Sequence, residues 1–318
     1  MKTSVIIRII CWAVIAIVLL GVLVWGIAGN AFGFQLLPFS FLRRNVLTSS
    51  HLEGKLGTYS STNAYTLDPS SIKNIDISWV AGSVTVKPYD GDTISFTENC
   101  LAGIPEKYAL QYGFSDDTLT IHYWGGTMDW VPRWQNFSKS LEVLVPKTLD
   151  GDLSLLSVDS VSANINISGL TGERMQFETI SGSADITGTA AQDLSFDTTS
   201  GSMRASACTA ATLQADSTSG SINLEGAFNE IRTDTVSGSV KISSTICPEI
   251  VQMDSVSGES TLIIPENKGF TARYESVSGN FSCDFPATVS IHTATYGDGS
   301  ASFRFDSVSG EIYINKIG

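Results

Sequence analysis

Apolar residues recur at fixed distances from a repeated glycine in the second half of this chain. The glycines at positions 182, 201, 220, 238, 258 and 279 are 18 to 21 residues apart. Aliphatic residues stand seven positions before these glycines and again two and four positions after them, as Val240 and Ile242 do after Gly238. A spacing of two is typical of a β-strand that turns one face inward, and a fixed period near twenty residues is typical of stacked coils. The pattern predicts an all-β fold, a parallel β-solenoid (β-helix) with coils of about 19–21 residues.

A short polar phrase, acidic–Ser/Thr–Val–Ser–Gly–Ser, accompanies each glycine. If the coils stack at ~4.8 Å, the acidic residues form one line along the surface. We call this line the acidic column; it contains Asp159, Glu178, Asp197, Asp216, Asp234, Asp254, Glu275 and Asp306. The strict alternation of strand positions is lost beside the acidic residue, which predicts a corner of the coil there and favours a structural role. The alternative is that Ca²⁺ bridges neighbouring carboxylates, although the calcium-binding G-G-x-G-x-D nonapeptide is absent.

The repeated serine, three residues after each acid, could be interpreted as a catalytic nucleophile. The G-x-S-x-G signature is missing, and His51, His122 and His292 are the only histidines that could act as bases. We therefore predict a stacked hydrogen-bonding column and no catalytic residues, so the chain is predicted not to be an enzyme.

The first thirty residues differ from the rest. No residue from Ile9 to Gly29 is charged, and these 21 residues would span about 31 Å as a helix, which matches the hydrocarbon core of a bilayer. We predict a transmembrane helix; a cleaved signal peptide is the alternative, although the apolar run is longer than the usual signal core. The nearest cations, Lys2 and Arg8, precede the helix, so we expect a single-pass protein of the cell membrane with an extracellular C-terminal domain.

Three regions follow from these patterns. Residues 1–30 are predicted to be a cytoplasmic tip and anchor, residues 31–70 a juxtamembrane segment and linker, and residues 71–318 an extracellular solenoid. Within the solenoid the coils are degenerate over 71–150 and regular over 151–318. Gly82 is predicted to mark the first coil, and the final segment, EIYINKIG, is predicted to be an edge strand.

Charge and cysteine content narrow the function classes. All 32 acidic residues and 17 of the 19 basic residues follow residue 30, so that part has a net charge of −15 and would repel nucleic acid. No C-x-x-C or His/Cys cluster is present, so neither zinc nor another cofactor is predicted. Cys208 and Cys247 fall two coils apart, farther than a disulfide can reach, and free thiols are predicted.

One segment interrupts the repeats and is rich in tryptophan. The sequence YWGGTMDWVPRWQNF contains Trp124, Trp130 and Trp134. Tryptophans on such a loop can stack on sugars or enter an interface, so these three residues are the candidate ligand-binding residues. The alternative is that they are buried and cap the end of the solenoid.

The segments IDISWVAGSVTVKPYDGDTISFTE and LEVLVPKTLDGDLSL, together with the serial D-S-V-S-G-S repeats and one N-terminal anchor, resemble the bacterial DUF4097 family over roughly residues 70–318. The resemblance implies a single-stranded β-solenoid and the role of an adhesin. Some members are encoded near envelope-stress signalling systems, which suggests a similar setting here. We expect an envelope protein or a glycan as the partner. It supplies no catalytic or ligand residues. Ala163 in place of glycine and the 31-residue gap between Gly279 and Gly310 depart from the pattern, and Gly299 suggests one irregular coil in that gap.

Two other functions stay open at this point. One is a carbohydrate-active β-helix enzyme, a polysaccharide lyase or hydrolase. The short coils argue against it, because they leave no long loops to build a cleft. The other is a regulatory partner of a membrane sensor, which the sequence does not separate from an adhesive role.

Overall fold

The computed structural model describes residues 60–104, 108–123, 138–149 and 151–317. These belong to one compact unit that runs from Asn45 to Gly318. In these ranges no helix is both long and apolar enough to span a bilayer. The apolar segment from Ile9 to Gly29 lies outside the described residues, so the anchor stays a prediction.

The described residues form one twenty-three-stranded sheet with short 3₁₀ turns at Pro69–Ser71 and Lys147–Leu149. The strands are β1 (Ser60–Leu67), β2 (Asn74–Trp79), β3 (Gly82–Tyr89), β4 (Ile94–Ile104), β5 (Gln111–Ser115), β6 (Thr118–His122), β7 (Lys139–Pro146), β8 (Leu153–Ser160), β9 (Asn164–Ser168), β10 (Thr171–Thr179), β11 (Ala184–Thr187), β12 (Ala190–Thr198), β13 (Met203–Ser217), β14 (Ile222–Ser237), β15 (Val240–Ser244), β16 (Ile250–Ser257), β17 (Ser260–Ile264), β18 (Gly269–Ser276), β19 (Phe281–Cys283), β20 (Thr288–Ser290), β21 (Thr293–Gly297), β22 (Ala301–Ser309) and β23 (Ile312–Lys316).

Each regular coil consists of one strand before the glycine corner and one after it, and equivalent strands of successive coils pair in parallel. Strand β10 pairs with β8 on one side and with β12 on the other, which aligns Phe177 with Val158 and with Phe196. The two phenyl rings are buried, with centroids 5.7 Å apart. The predicted all-β, solenoid-like fold and its internal aromatic column are confirmed.

The glycine at most corners is required by the close approach of the coils, although Ala163 occupies the equivalent position after β8. A methyl group on Gly201 would collide with the backbone carbonyl oxygen of Gly182 in the preceding coil. Only a residue without a Cβ allows the two backbones to come this close.

The coils at both ends of the stack are out of sequence order. Strands β2 and β3 lie between the β6–β7 coil and the β8–β9 coil. At the other end, β22 and β23 lie between the β16–β17 coil and the β18–β19 coil. Gly82 therefore belongs to the second coil in space, and the C-terminal strand is internal. The prediction that this final segment is an edge strand was wrong.

The sheet is mixed, so the prediction of a strictly parallel solenoid was also wrong. Near one end, β4 pairs antiparallel with β1 and β7, and β5 pairs antiparallel with β6. Near the other, β21 pairs antiparallel with β18 and β20. The region between Gly279 and Gly310 contains this hairpin rather than the expected irregular coil. Hairpins cover strand edges that a purely parallel stack would expose.

Candidate interaction surface

The eight residues of the acidic column lie in register on adjacent strands. From Asp159 the column runs through Glu178, Asp197, Asp216, Asp234 and Asp254 in chain order. Because the last coil is inserted, Asp306 then precedes Glu275. The predicted stacking is confirmed, with the order of its last two members exchanged.

Local backbone geometry makes the acidic residue the last outward position before the corner. In β12, Phe196 points into the core, Asp197 is exposed, and Thr198 is buried again. The Thr198 hydroxyl accepts a hydrogen bond from the backbone N–H of Gly201 at 2.9 Å. The same contact, at 2.9 Å, joins Thr179 to Gly182 one coil earlier. The inward hydroxyl holds the corner closed, and the carboxylate beside it is left on the surface.

The side chains around the column differ between its two halves. Two residues before the acid, the strands around Asp197 place Gln176, Ser195 and Gln214. The pKa of Asp197 is raised to about 6, first because its carboxyl is partly desolvated and then because of the charges of Glu178 and Asp216. This half of the column concentrates negative charge.

In the other half the equivalent positions hold Arg232, Gln252, Arg304 and Arg273, in the order of the coils. Nε of Arg304 donates to a carboxylate oxygen of Asp306 at 2.9 Å, and this bond and charge raise the pKa of the Arg304 guanidinium. Of these arginines, Arg304 pairs with the column at Asp306, whereas Arg232 pairs with Glu230. Burial and the charges of Asp216 and Asp254 raise the pKa of Asp234.

The repeated serines form a second column beside the corner. The hydroxyl of Ser181 donates to the carbonyl of Val161 at 3.2 Å, and that of Ser200 donates to Ile180 at 3.0 Å. Ser162, Ser219, Ser257, Ser278 and Ser309 make the equivalent bond to a neighbouring coil. The predicted hydrogen-bonding column is confirmed at these positions.

The described histidines stand far apart in the order of the coils. His122 lies on β6 at one end, where burial lowers its pKa and the charge of Asp76 partly opposes that shift. His292 lies in the hairpin turn at the other end. His51 lies outside the described residues.

The candidate binding residues Trp124, Trp130 and Trp134 also lie outside the described residues. Both flanks of their segment are described, and a buried cation joins them. Nζ of Lys139 donates to the backbone carbonyl of Tyr123 and lies 3.8 Å from the centroid of the Tyr123 ring. Tyr123 and Lys139, which flank residues 124–137, are therefore held together.

The Lys139 ammonium is paired inside the core. It lies 2.6 Å from a carboxylate oxygen of Glu98, and both side chains have no solvent exposure. It also donates to the carbonyl of Tyr108 at 2.9 Å, while both Glu98 oxygens accept from the N–H of Leu110 at 3.1 Å. Burial lowers the pKa of Lys139, and the charge and hydrogen bond of Glu98 oppose that shift.

Sequence reasoning missed this ion pair, although the strand pattern contained its signal. In β7, Lys139 shares the inward parity of Leu141 and Val143, and in β4, Glu98 shares the parity of Phe96. Two charged residues on inward positions of neighbouring strands predict a buried pair.

The four described cysteines are free thiols. Cys208 and Cys247 are not bonded to each other, as predicted; Cys100 and Cys208 are buried thiols, whereas Cys247 and Cys283 are half-buried. Within the described ranges no group of three or more His, Cys, Asp or Glu side chains is arranged to hold a metal ion. Ca²⁺ at the acidic column stays a prediction.

A family model described as Toastrack DUF4097 matches residues 72–315, which is most of the chain. The chain belongs to the Toastrack DUF4097 family. Its predicted resemblance is thereby confirmed, and the match covers the coils from the β2–β3 pair to the inserted C-terminal strands.

Several solved structures resemble this DUF4097 chain at low identity. A candidate adhesin of Bacteroides fragilis is 15% identical, with a TM-score of 0.49, 80% of this chain and 97% of that chain covered. A candidate cell-adhesion protein of Clostridium sporogenes is 12% identical, with a TM-score of 0.32 and coverage of 81% and 100%. A candidate lipid-binding protein of Parabacteroides distasonis is 15% identical, with a TM-score of 0.44 and coverage of 81% and 98%. None of these three names describes an enzyme, and no curated protein matches the chain.

Proposed function

We propose that this DUF4097 protein is a non-enzymatic protein of the cell envelope, anchored in the membrane by residues 9–29, whose solenoid presents an interaction surface. The observation that carries the proposal is the acidic column, which stands in register across eight coils and is at least partly exposed in seven of them, Asp159 being buried. A repeated, rigid surface suits adhesion to an extended partner better than conversion of a small substrate.

The interior supports a role at the surface. The inward positions are filled by large side chains without solvent exposure, among them Phe177, Phe196 and Phe305. Because side chains occupy these inward positions of the described coils, we expect recognition to fall to the outward columns and to the aromatic segment 124–137, whose flanks are tied by Lys139.

The partner is expected to meet a negative face. Two residues before each acid, the strands around Asp197 hold Gln176, Ser195 and Gln214 instead of arginine. A partner with cationic groups, or one held through divalent cations, matches this part of the column best. An envelope protein and a cell-wall glycan are the two partner classes, and the tryptophan residues would contact the sugar rings of the latter. With either partner, the protein would fit a role in envelope-stress signalling.

Labelling in intact cells tests the topology. An impermeant amine reagent applied to cells with the full-length chain is expected to modify the exposed Lys241 and Lys316 and to spare Lys2. Lys139, fully buried, is an internal control for folding, because it should react only after denaturation. Protection of Lys241 until the cells are lysed would place the domain on the inner side and refute the proposal.

Crosslinking in intact cells tests the interaction. A variant with Glu178→Gln, Asp197→Asn and Asp216→Asn is expected to lose most captured partner if the acidic column binds it. Replacing Trp130 and Trp134 with Ala separates the contribution of the aromatic segment. Depletion of a cell-wall glycan on incubation with the purified full-length protein would support the enzyme alternative instead.

A further inference from the structure

Two short strands stand at the edge of the sheet beyond the β18–β19 coil. Among the described strands, β20 pairs only with β21, and β19 pairs only with β23. An edge strand leaves one row of backbone N–H and C=O groups available for another strand. This end of the molecule can therefore extend its sheet.

The same end exposes apolar side chains. The three large apolar side chains with the highest exposure in the described ranges are Ile291 at 88%, Val277 at 77% and Val289 at 60%. Val289 lies on β20, and Ile291 and His292 form the turn into β21. The backbone N–H of Tyr274 donates to the carbonyl of His292 at 3.1 Å, so the turn lies beside the strand that leads to Val277. We call these three apolar residues the end patch.

The charge distribution indicates what can cover the end patch. Residues 285–297, which include β20, the turn and β21, contain no Asp, Glu, Lys or Arg, whereas the chain beyond residue 30 has a net charge of −15. Two copies repel each other when their acidic faces approach. Over this uncharged segment they can meet without that cost, because Arg273 and Glu275 lie on β18, which β21 separates from β20.

We infer that the end patch is a self-association surface, on which β20 of one protomer pairs antiparallel with β20 of a second copy. A two-fold axis beside Val289 would place it opposite the partner's Val289 and would place Thr288 opposite the partner's Ser290. An antiparallel pair of identical strands is self-complementary about such an axis, so both copies use the same hydrogen-bonding edge. A three-residue strand makes few backbone bonds, so burial of Val289 and Ile291 supplies most of the affinity.

Disulfide trapping tests this arrangement in the full-length chain. Val289→Cys is expected to give disulfide-linked dimers when cells are treated with a mild oxidant, because the axis brings the two introduced thiols together. Phe114→Cys is the matched control, since Phe114 is 45% exposed on β5 at the other end of the coil order. The unmodified chain controls for the native, half-buried Cys283.

A second variant separates association from folding. Val289→Lys places one cation from each copy at the two-fold axis. In sedimentation of the detergent-solubilised protein, this variant is expected to be a monomer. Its melting temperature should change little, because the Val289 side chain is exposed. Absence of a dimer with Val289→Cys, equal dimer from Phe114→Cys, or capture of Val289→Cys on a different protein would each overturn the inference.

Discussion

Replacing Asp197 with Asn should stabilise this protein at neutral pH. The carboxylate of Asp197 lies between Glu178 and Asp216, and strand spacing sets the neighbours at ~4.8 Å. At a dielectric constant of about 80, each neighbour then repels it by about 0.9 kcal/mol. Asparagine keeps the shape of the side chain and removes this repulsion.

The raised pKa of Asp197 gives an upper limit for the effect. A change from the ordinary value of 3.8 to about 6 means that the folded protein holds the proton more tightly than the unfolded chain does. The charge therefore destabilises the fold above pH 6, by at most about 3 kcal/mol at about 1.4 kcal/mol per pH unit. Because Asp197 is exposed, solvent screening reduces this, and we expect about 1 kcal/mol.

Thermal melts across pH measure the effect. At pH 7.5, Asp197→Asn should raise the melting temperature by about 2–4 °C, the shift expected for about 1 kcal/mol in a domain of this size. The gain should shrink as the pH falls from 6 to 4, where the wild-type carboxyl becomes protonated in the folded state, and it should decrease in high salt.

The matched control is Asp306→Asn in the same column. Asp306 accepts from Arg304 at 2.9 Å, so the same chemical change removes an ion pair and should give no stabilisation and a loss of up to about 1 kcal/mol. If Asp197→Asn leaves the melting temperature unchanged at pH 7.5, or if both variants stabilise the protein equally, repulsion within the column does not govern its stability.

Two further changes test the interior. Lys139→Met should lower the free energy of unfolding in urea by about 3–5 kcal/mol, because it leaves the buried charge of Glu98 without its cation. The double variant Lys139→Met/Glu98→Leu should recover most of that loss. Additive losses would contradict the pairing. Gly201→Ala should cost about 3 kcal/mol or more, because the added methyl group collides with the neighbouring coil. Gly188→Ala is the control and should cost about 1–2 kcal/mol. At Gly188, φ is +63° and the nearest atom lies 4.0 Å from the added carbon. A loss for Gly201→Ala no larger than that for Gly188→Ala would contradict the contact between coils as the reason for this glycine.

Much of the regular body could be predicted from the sequence because its determinants are local. The alternation of inward and outward positions depends on neighbours two residues apart, and it correctly places Phe177 and Phe196 in the core and Asp197 on the surface. The repeat length then sets which residues stack on one another, so the acidic and serine columns can be predicted by counting residues from one repeat to the next. A hydroxyl one residue after the acid and a glycine four residues after it determine the corner within a single coil.

The ends of the stack were decided only by the tertiary structure. Equivalent coils offer nearly identical edges, so the repeat pattern does not distinguish stacking in chain order from the observed insertion of β2–β3 and of β22–β23. The antiparallel hairpins that cover the edges likewise depend on contacts between segments distant in sequence. The Lys139–Glu98 pair also depends on the tertiary structure. Strand parity turns each charge inward, but only the folded arrangement of β4 and β7 brings the two side chains within 2.6 Å of each other. The pairing is needed because neither charge could be buried alone.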